Sequence, residues 1–175
     1  MAGSLLMKLD MKRRGVLYIQ IWENNIKVTN VATDEVFDEL TTVSYQCAAN
    51  GKMVNIKCGN NALVNSGPET KTMNPFSHPR TLLANTTVIH RFFKYLFKKY
   101  KKSFIYSPIV VIHLMEKVEG DLLDMEKYTL NFVGTKAGAS SIFPYVGDKF
   151  TIPLFKRIYT RQVSRDELMK IEQGV

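Results

Sequence analysis

The sequence predicts a mixed α/β domain, an antiparallel β-meander followed by a parallel β-α-β-α-β unit. Three observations carry that reading: β-rich runs joined by a two-residue turn near the start, helical stretches in the second half, and a β-branched run between them with little polar interruption. At 175 residues the chain suits one compact domain with short appended ends. Its 45% hydrophobic content, with ten Phe and eight Tyr, supplies enough apolar surface to offset chain entropy. The expected divisions are an N-terminal arm over 1–15, a domain over 16–148, and a basic extension over 149–175 carrying a short helix.

The first two strands are Leu17 to Trp22 and Asn25 to Asn30, separated by Glu23-Asn24. In the second, Ile26 and Val28 alternate with Lys27 and Thr29, which makes the pair a hairpin. Val36, Leu40, Val43 and Tyr45 predict a third strand or an interrupted pair, and Met53 to Cys58 a further strand after the Asn50-Gly51 turn. Gly59 to Arg80 holds three prolines and no sustained period, so it reads as a surface loop. The clearest helix follows. Asn85, Thr86 or Thr87 can cap it, and Ile89, Phe92, Phe93, Leu96 and Tyr100 share one face as core. Ile109 to Ile112, after Ser107-Pro108, has the character of a strand covered on both sides and therefore central. Asp121 to Ala137 predicts a second helix closed by Gly138 in a left-handed cap, and Ser141 to Val146 another strand. Strand, helix, strand, helix, strand in that order implies a parallel crossover. Ser164 and Glu167 form a capping-box pair that should open a terminal helix.

Composition narrows the function classes. Lys and Arg number 24 against 16 acidic residues, a formal net charge of +8, which favours an acidic protein partner, nucleic acid or an anionic membrane surface. The two cysteines, Cys47 and Cys58, flank a candidate hairpin, but without a secretory signal they read as reduced thiols. With His78, His90 and His113 scattered, they show no paired metal-ligand spacing. The N-terminal leucines precede Lys8, Lys12, Arg13 and Arg14, the reverse of an export signal. The run Ile109 to Met115 is far shorter than the roughly 20 residues that span a bilayer. Lys12 interrupts the apolar face that Leu5 and Leu9 would need for a membrane anchor. The expected location is cytoplasmic, with the inner face of the membrane as an alternative address.

The predicted order is that of the ribonuclease-H-like unit from which each half of an actin is built. Asn74-Pro-Phe-Ser-His-Pro-Arg80, Leu83-Ala-Asn85 with Val88, and Lys94 to Lys99 resemble the approach to the first long helix of MreB-type bacterial actins. Val118-Glu-Gly120, Met125-Glu126 and Lys136-Ala-Gly-Ala139 resemble the following loop, second helix and turn. The resemblance runs from about Leu17 to Asp148, and it implies the first domain of such a protein. In an actin the first hairpin carries an Asp and a Gly, which organise magnesium and let backbone amides approach a phosphate. Gln20 and Trp22 stand roughly there, and no Gly lies between Gly15 and Gly51. The second domain, with its own phosphate loop, would begin about where this sequence ends. The resemblance therefore implies a non-enzymatic interaction protein linked to bacterial cell shape or cytoskeleton, with no bound cofactor and no catalytic residues. An orphan half-actin also makes a homodimer an expectation.

Candidate contact residues lie elsewhere. Arg91, Lys94, Lys98, Lys101 and Lys102 fall within an arc of roughly 100° opposite the aromatic stripe, a candidate anion or partner face. It could serve an acidic protein, or mark the alternative of a nucleic-acid-binding module. His78 and Arg80 are candidate loop contacts, while Ser77 beside His78 makes no triad. Glu116, Glu119, Asp121 and Asp124 read as a solvated loop and helix N-terminus. A metal-dependent nuclease would need a carboxylate where the first strand offers Gln20.

Overall fold

A computed structural model describes residues 13, 15–64, 67–79, 81–100, 106–118, 120 and 122–159. Two sheets form. The larger contains Val16–Ile21 (β1), Asn25–Asn30 (β2), Glu35–Leu40 (β3), Ile109–Leu114 (β7) and Ser141–Tyr145 (β8), in the order β3-β2-β1-β7-β8. The smaller contains Val43–Cys47 (β4), Met53–Cys58 (β5) and Lys71–Met73 (β6), in the order β5-β4-β6. The helices are Thr86–Tyr100 (α1), Asp124–Ala137 (α2) and Ile152–Tyr159 (α3).

β1 runs antiparallel to β2 and parallel to β7, which in turn runs parallel to β8. All six β1 residues are buried, as an apolar strand covered on both faces must be. Leu17, Ile19 and Ile21 join the main core with the apolar face of α1 and with Leu130 and Val133 of α2. Val16 and Tyr18 point to the opposite face, where they meet Val31, Val111 and Phe155 of α3. The predicted meander and parallel unit are both present, and the Ile109 strand is central.

Local chemistry fixes the helix ends. Asn85 caps α1 by accepting the Val88 amide at 3.1 Å. Gly138 closes α2 at φ 112°, as its position after the last apolar residue predicts. The second helix begins at Asp124, where Glu126 reaches back to the Leu123 amide at 3.2 Å and also accepts the Thr81 hydroxyl at 2.7 Å. The aromatic stripe of α1 is core: Phe92 and Phe93 are wholly buried, with Phe76 edge-on to Phe92 at 5.7 Å.

Of the two readings of Glu35 to Tyr45, the interrupted pair holds, with β3 and β4 in two different sheets. Two features correct the sequence reading. The stretch read as a loop from Gly59 to Arg80 contains a 3-10 turn at Gly59–Leu63 and the strand β6. β6 pairs with β4 through Val43 and Met73, Ser44 and Thr72, and Tyr45 and Lys71, and three residues are too few to display a period. Helix α3 lies in the stretch read as a basic extension, and its Phe155 stacks on Tyr18 at 6.0 Å. Both cysteines are free thiols: Cys47 stands opposite Met53 and Cys58 opposite Val43, at different places along the hairpin. The predicted helix from Ser164, most of the N-terminal arm, Arg80, Lys101, Lys102, Glu119 and Asp121 lie outside the described residues.

Candidate functional site

Two places gather polar side chains. The first is the corner where β1 and β7 end, the carboxyl edge of parallel strands at which open α/β sheets commonly bind ligands. Trp22 follows β1 directly, with the Lys149 ammonium 5.5 Å from its ring centroid, a cation–π contact. The Trp22 amide donates to the Asn25 carbonyl at 2.9 Å, closing the hairpin, and the Glu23 amide donates to the Glu116 carboxylate at 2.8 Å. The Trp22 and Glu23 amides are therefore engaged within the protein, and the second faces a negative charge.

The Glu23 side chain is held just as fully. It accepts the Ser77 hydroxyl at 2.6 Å and pairs with Lys117 at 2.9 Å, and these two donors hold its carboxyl below the usual range. Lys117 also donates to the His78 carbonyl at 2.8 Å, and Asn74 donates to the Glu23 carbonyl at 2.7 Å. Gln20 is buried, its amide nitrogen 3.7 Å from the Met115 sulfur. The predicted loop contact His78 is thus placed at this corner through its backbone carbonyl, with its side chain exposed. Glu116 is exposed and accepts the Glu23 amide through its side-chain carboxylate, and Asp124 lies in the first turn of α2.

Beneath the sheet, His113 is almost wholly buried. Its Nε2 is 3.0 Å from the Gly147 carbonyl and its Nδ1 2.6 Å from the Tyr18 hydroxyl. A carbonyl only accepts, so Nε2 carries the proton and Nδ1 accepts from the phenol. The neutral ring satisfies both partners. Burial pushes the Tyr18 phenol up to about 12 and depresses the imidazolium.

The second place is the polar face of α1. Arg91, Lys94 and Lys98 are exposed there, as predicted. Among the described residues no carboxylate pairs with any of the three. Lys99, one position on, behaves differently: it forms an ion pair with Glu39, a carboxylate only 1% exposed near the end of β3. Glu39 also accepts the Tyr100 hydroxyl at 2.5 Å, the Tyr95 hydroxyl at 3.2 Å and the Asn60 amide at 2.8 Å. Its Cδ and Oε2 lie where a side chain on Gly59 would begin, and Gly59 holds φ at +65°, so the glycine is required twice over. This cluster ties β3, the 3-10 turn and α1 together. Beside it a cavity of about 370 Å³ opens between α1 and β5, lined by Lys57, Cys58, Asn61, Arg91, Lys94 and Tyr95 among others.

Acid should loosen this fold in two steps. Burial favours the neutral form of His113, so its folded pKa lies below the ordinary 6.5. Its contribution is complete above that value and declines as pH falls through the lower folded one. Burial also pushes Glu39 up, but hydrogen bonds from Lys99, Tyr100 and the Asn60 amide outweigh it and hold the carboxyl below 4.5. That contribution is complete above 4.5 and is lost on further acidification. Urea midpoints should therefore fall below pH 6.5 and again below 4.5, and His113→Gln should remove only the first decline.

The geometry can be set against known proteins. No protein-family profile matches the chain, and a sequence comparison with curated proteins returns no match. Solved structures do match. MreB5 of Spiroplasma citri bound to ADP aligns over 76% of this chain with a TM-score of 0.57 at 14% identity. A non-polymerising variant of MamK bound to AMPPNP aligns over 77% with a TM-score of 0.61 at 11% identity. The fold is that of an actin-like domain. This chain spans 38% of the MreB5 chain and 41% of the MamK chain. Among the described residues of the actin-like domain no helix is long and apolar enough to cross a membrane, and no three His, Cys, Asp or Glu side chains gather to hold a metal ion.

Sequence reasoning missed the pairing of Glu39 with Lys99 and the position of Lys57 beside Arg91. Glu39 is one of three acids in β3, with Glu35 and Asp38, so no local signal singles it out. Nothing in the linear order links β5 to α1.

Proposed function

We propose that this chain is a non-enzymatic actin-like interaction protein of bacterial cell-shape or cytoskeletal machinery, in which the ATP site has been lost. One observation carries the reading: the turn after β1, where the actin resemblance calls for free amides and a magnesium-organising carboxylate, is filled by Trp22 under Lys149, and its Glu23 amide is bound to Glu116. An incoming phosphate would have to displace that carboxylate and then pass the indole. Glu23 is the nearest acid on the hairpin, and its two oxygens are taken by Ser77 and Lys117.

The working surface in this reading is the polar face of α1, where Arg91, Lys94 and Lys98 project with no described carboxylate partner. An acidic protein is the partner that such a face suits. A nucleic acid suits it less well, because Phe92, Phe93, Phe97 and Tyr100 of α1 are buried in the core, which leaves only the half-buried Tyr95 beside the cations to stack on a base. The test is calorimetric titration with magnesium-ATP combined with a phosphate-release assay. The expected result is neither heat of binding at micromolar nucleotide nor magnesium-dependent hydrolysis above a protein-free control. Either signal would overturn the loss of ATP chemistry.

A further inference from the structure

The cavity between α1 and β5 gives the basic face a shape that the helix alone does not have. Arg91 and Lys94 stand one turn apart on α1, and Lys57 faces them from β5, so cations border the space from two separate elements. Lys57 is steadied by donating to the Val64 carbonyl at 3.0 Å, and Asn61 donates to the Tyr95 hydroxyl at 3.4 Å across the rim. The buried Cys58 thiol is pushed up to about 11, by burial first and by the Glu39 charge second, so it brings no negative charge at neutral pH. The Glu39 carboxylate is itself paired with Lys99. The space therefore combines a cationic rim with a floor that is partly apolar.

We infer that this cavity is a socket for an acidic side chain of a protein partner, its carboxylate held by Arg91, Lys94 and Lys57 and its methylene groups resting on the Tyr95 ring and the Cys58 floor. The inference rests on the reading that the α1 face takes an acidic protein, and it deepens that reading by naming the pocket and the group that enters. Charge complementarity selects the occupant, and size supports it. About 370 Å³ admits a side chain but no folded segment. A bare phosphate would leave the apolar floor unused, and a nucleic-acid backbone would need cations in a line rather than around a hollow.

The discriminating measurement is fluorescence anisotropy of a labelled hexaglutamate peptide against the full chain and its single variants. Lys57→Glu and Arg91→Glu should each weaken binding by about tenfold or more, because each removes a charge-assisted contact and adds repulsion. Lys98→Glu, on the same helix but outside the cavity, should change it by less than about threefold, the effect of a screened charge at a distance. If Lys57→Glu binds like the unaltered chain while Arg91→Glu, Lys94→Glu and Lys98→Glu weaken equally, the socket is wrong and the broad helix face stands. If the peptide does not bind at all, both readings fall. Parallel titrations use inorganic phosphate, a single-stranded oligonucleotide and phosphatidylglycerol vesicles. Tighter binding of any of these than of the peptide would replace the acidic side chain with that ligand.

Discussion

Replacing Glu39 with alanine is expected to lower the free energy of unfolding by about 1–3 kcal/mol, the cost of a buried donor left without a partner. The Tyr100 hydroxyl would be stranded in this way, whereas the half-buried Tyr95 hydroxyl and the amide of the exposed Asn60 can turn to water. Lys99 contributes less to the penalty, because its side chain is 40% exposed and its charge can return to water. Glu39→Gln keeps an acceptor for the tyrosines while removing the charge, so it should lose less than the alanine variant. Urea unfolding with an unchanged slope measures both. A loss below about 0.5 kcal/mol for Glu39→Ala, the range of ordinary surface changes, would mean that the cluster does not hold β3 and the 3-10 turn to α1.

The second large effect is expected at Phe92. The ring is wholly buried against Phe76, with Tyr95 a further 6.3 Å contact on the same helix, and it belongs to the core shared by β1 and both long helices. Phe92→Ala removes that contact and leaves a cavity that surrounding side chains fill only in part, at a cost of about 3–5 kcal/mol. Phe92→Leu should lose markedly less, because most of the volume is kept. Thermal unfolding of the two variants side by side separates a packing role from an exposed, ligand-stacking one. A Phe92→Ala variant as stable as the parent would contradict its place in the core.

How much of this was legible in the sequence depends on the distance over which each element is decided. The hairpin of β1 and β2, the caps at Asn85 and Gly138, and the core stripe of α1 are set by residues a few positions apart, and pattern reading found them. β7 was found because strands with two covered faces are apolar throughout. β6 escaped because its three residues are organised by β4, far back in the chain. β3 was read from Val36 and Leu40, yet the residues that turn inward are Phe37, 4.3 Å from the Tyr100 ring, and Glu39. Its partner contacts lie about sixty positions away on α1, and nothing local announces them. The same holds for the contact face. Arg91, Lys94 and Lys98 could be placed on one side of a helix from spacing alone. That Lys57 stands across a cavity from them follows only from how the small sheet docks on α1.

The occupied corner carries the central claim, and the protein contains a reporter there: Trp22 is the only tryptophan in the chain. Its fluorescence can be followed while magnesium-ATP is added to the full chain, with sucrose at matched osmolality as the control. With Lys149 over the indole and Glu116 on the neighbouring amide, the emission should stay unchanged beyond inner-filter correction up to millimolar nucleotide. A saturable change with a micromolar midpoint, abolished by chelating magnesium, would show that the corner still binds nucleotide and would contradict the account.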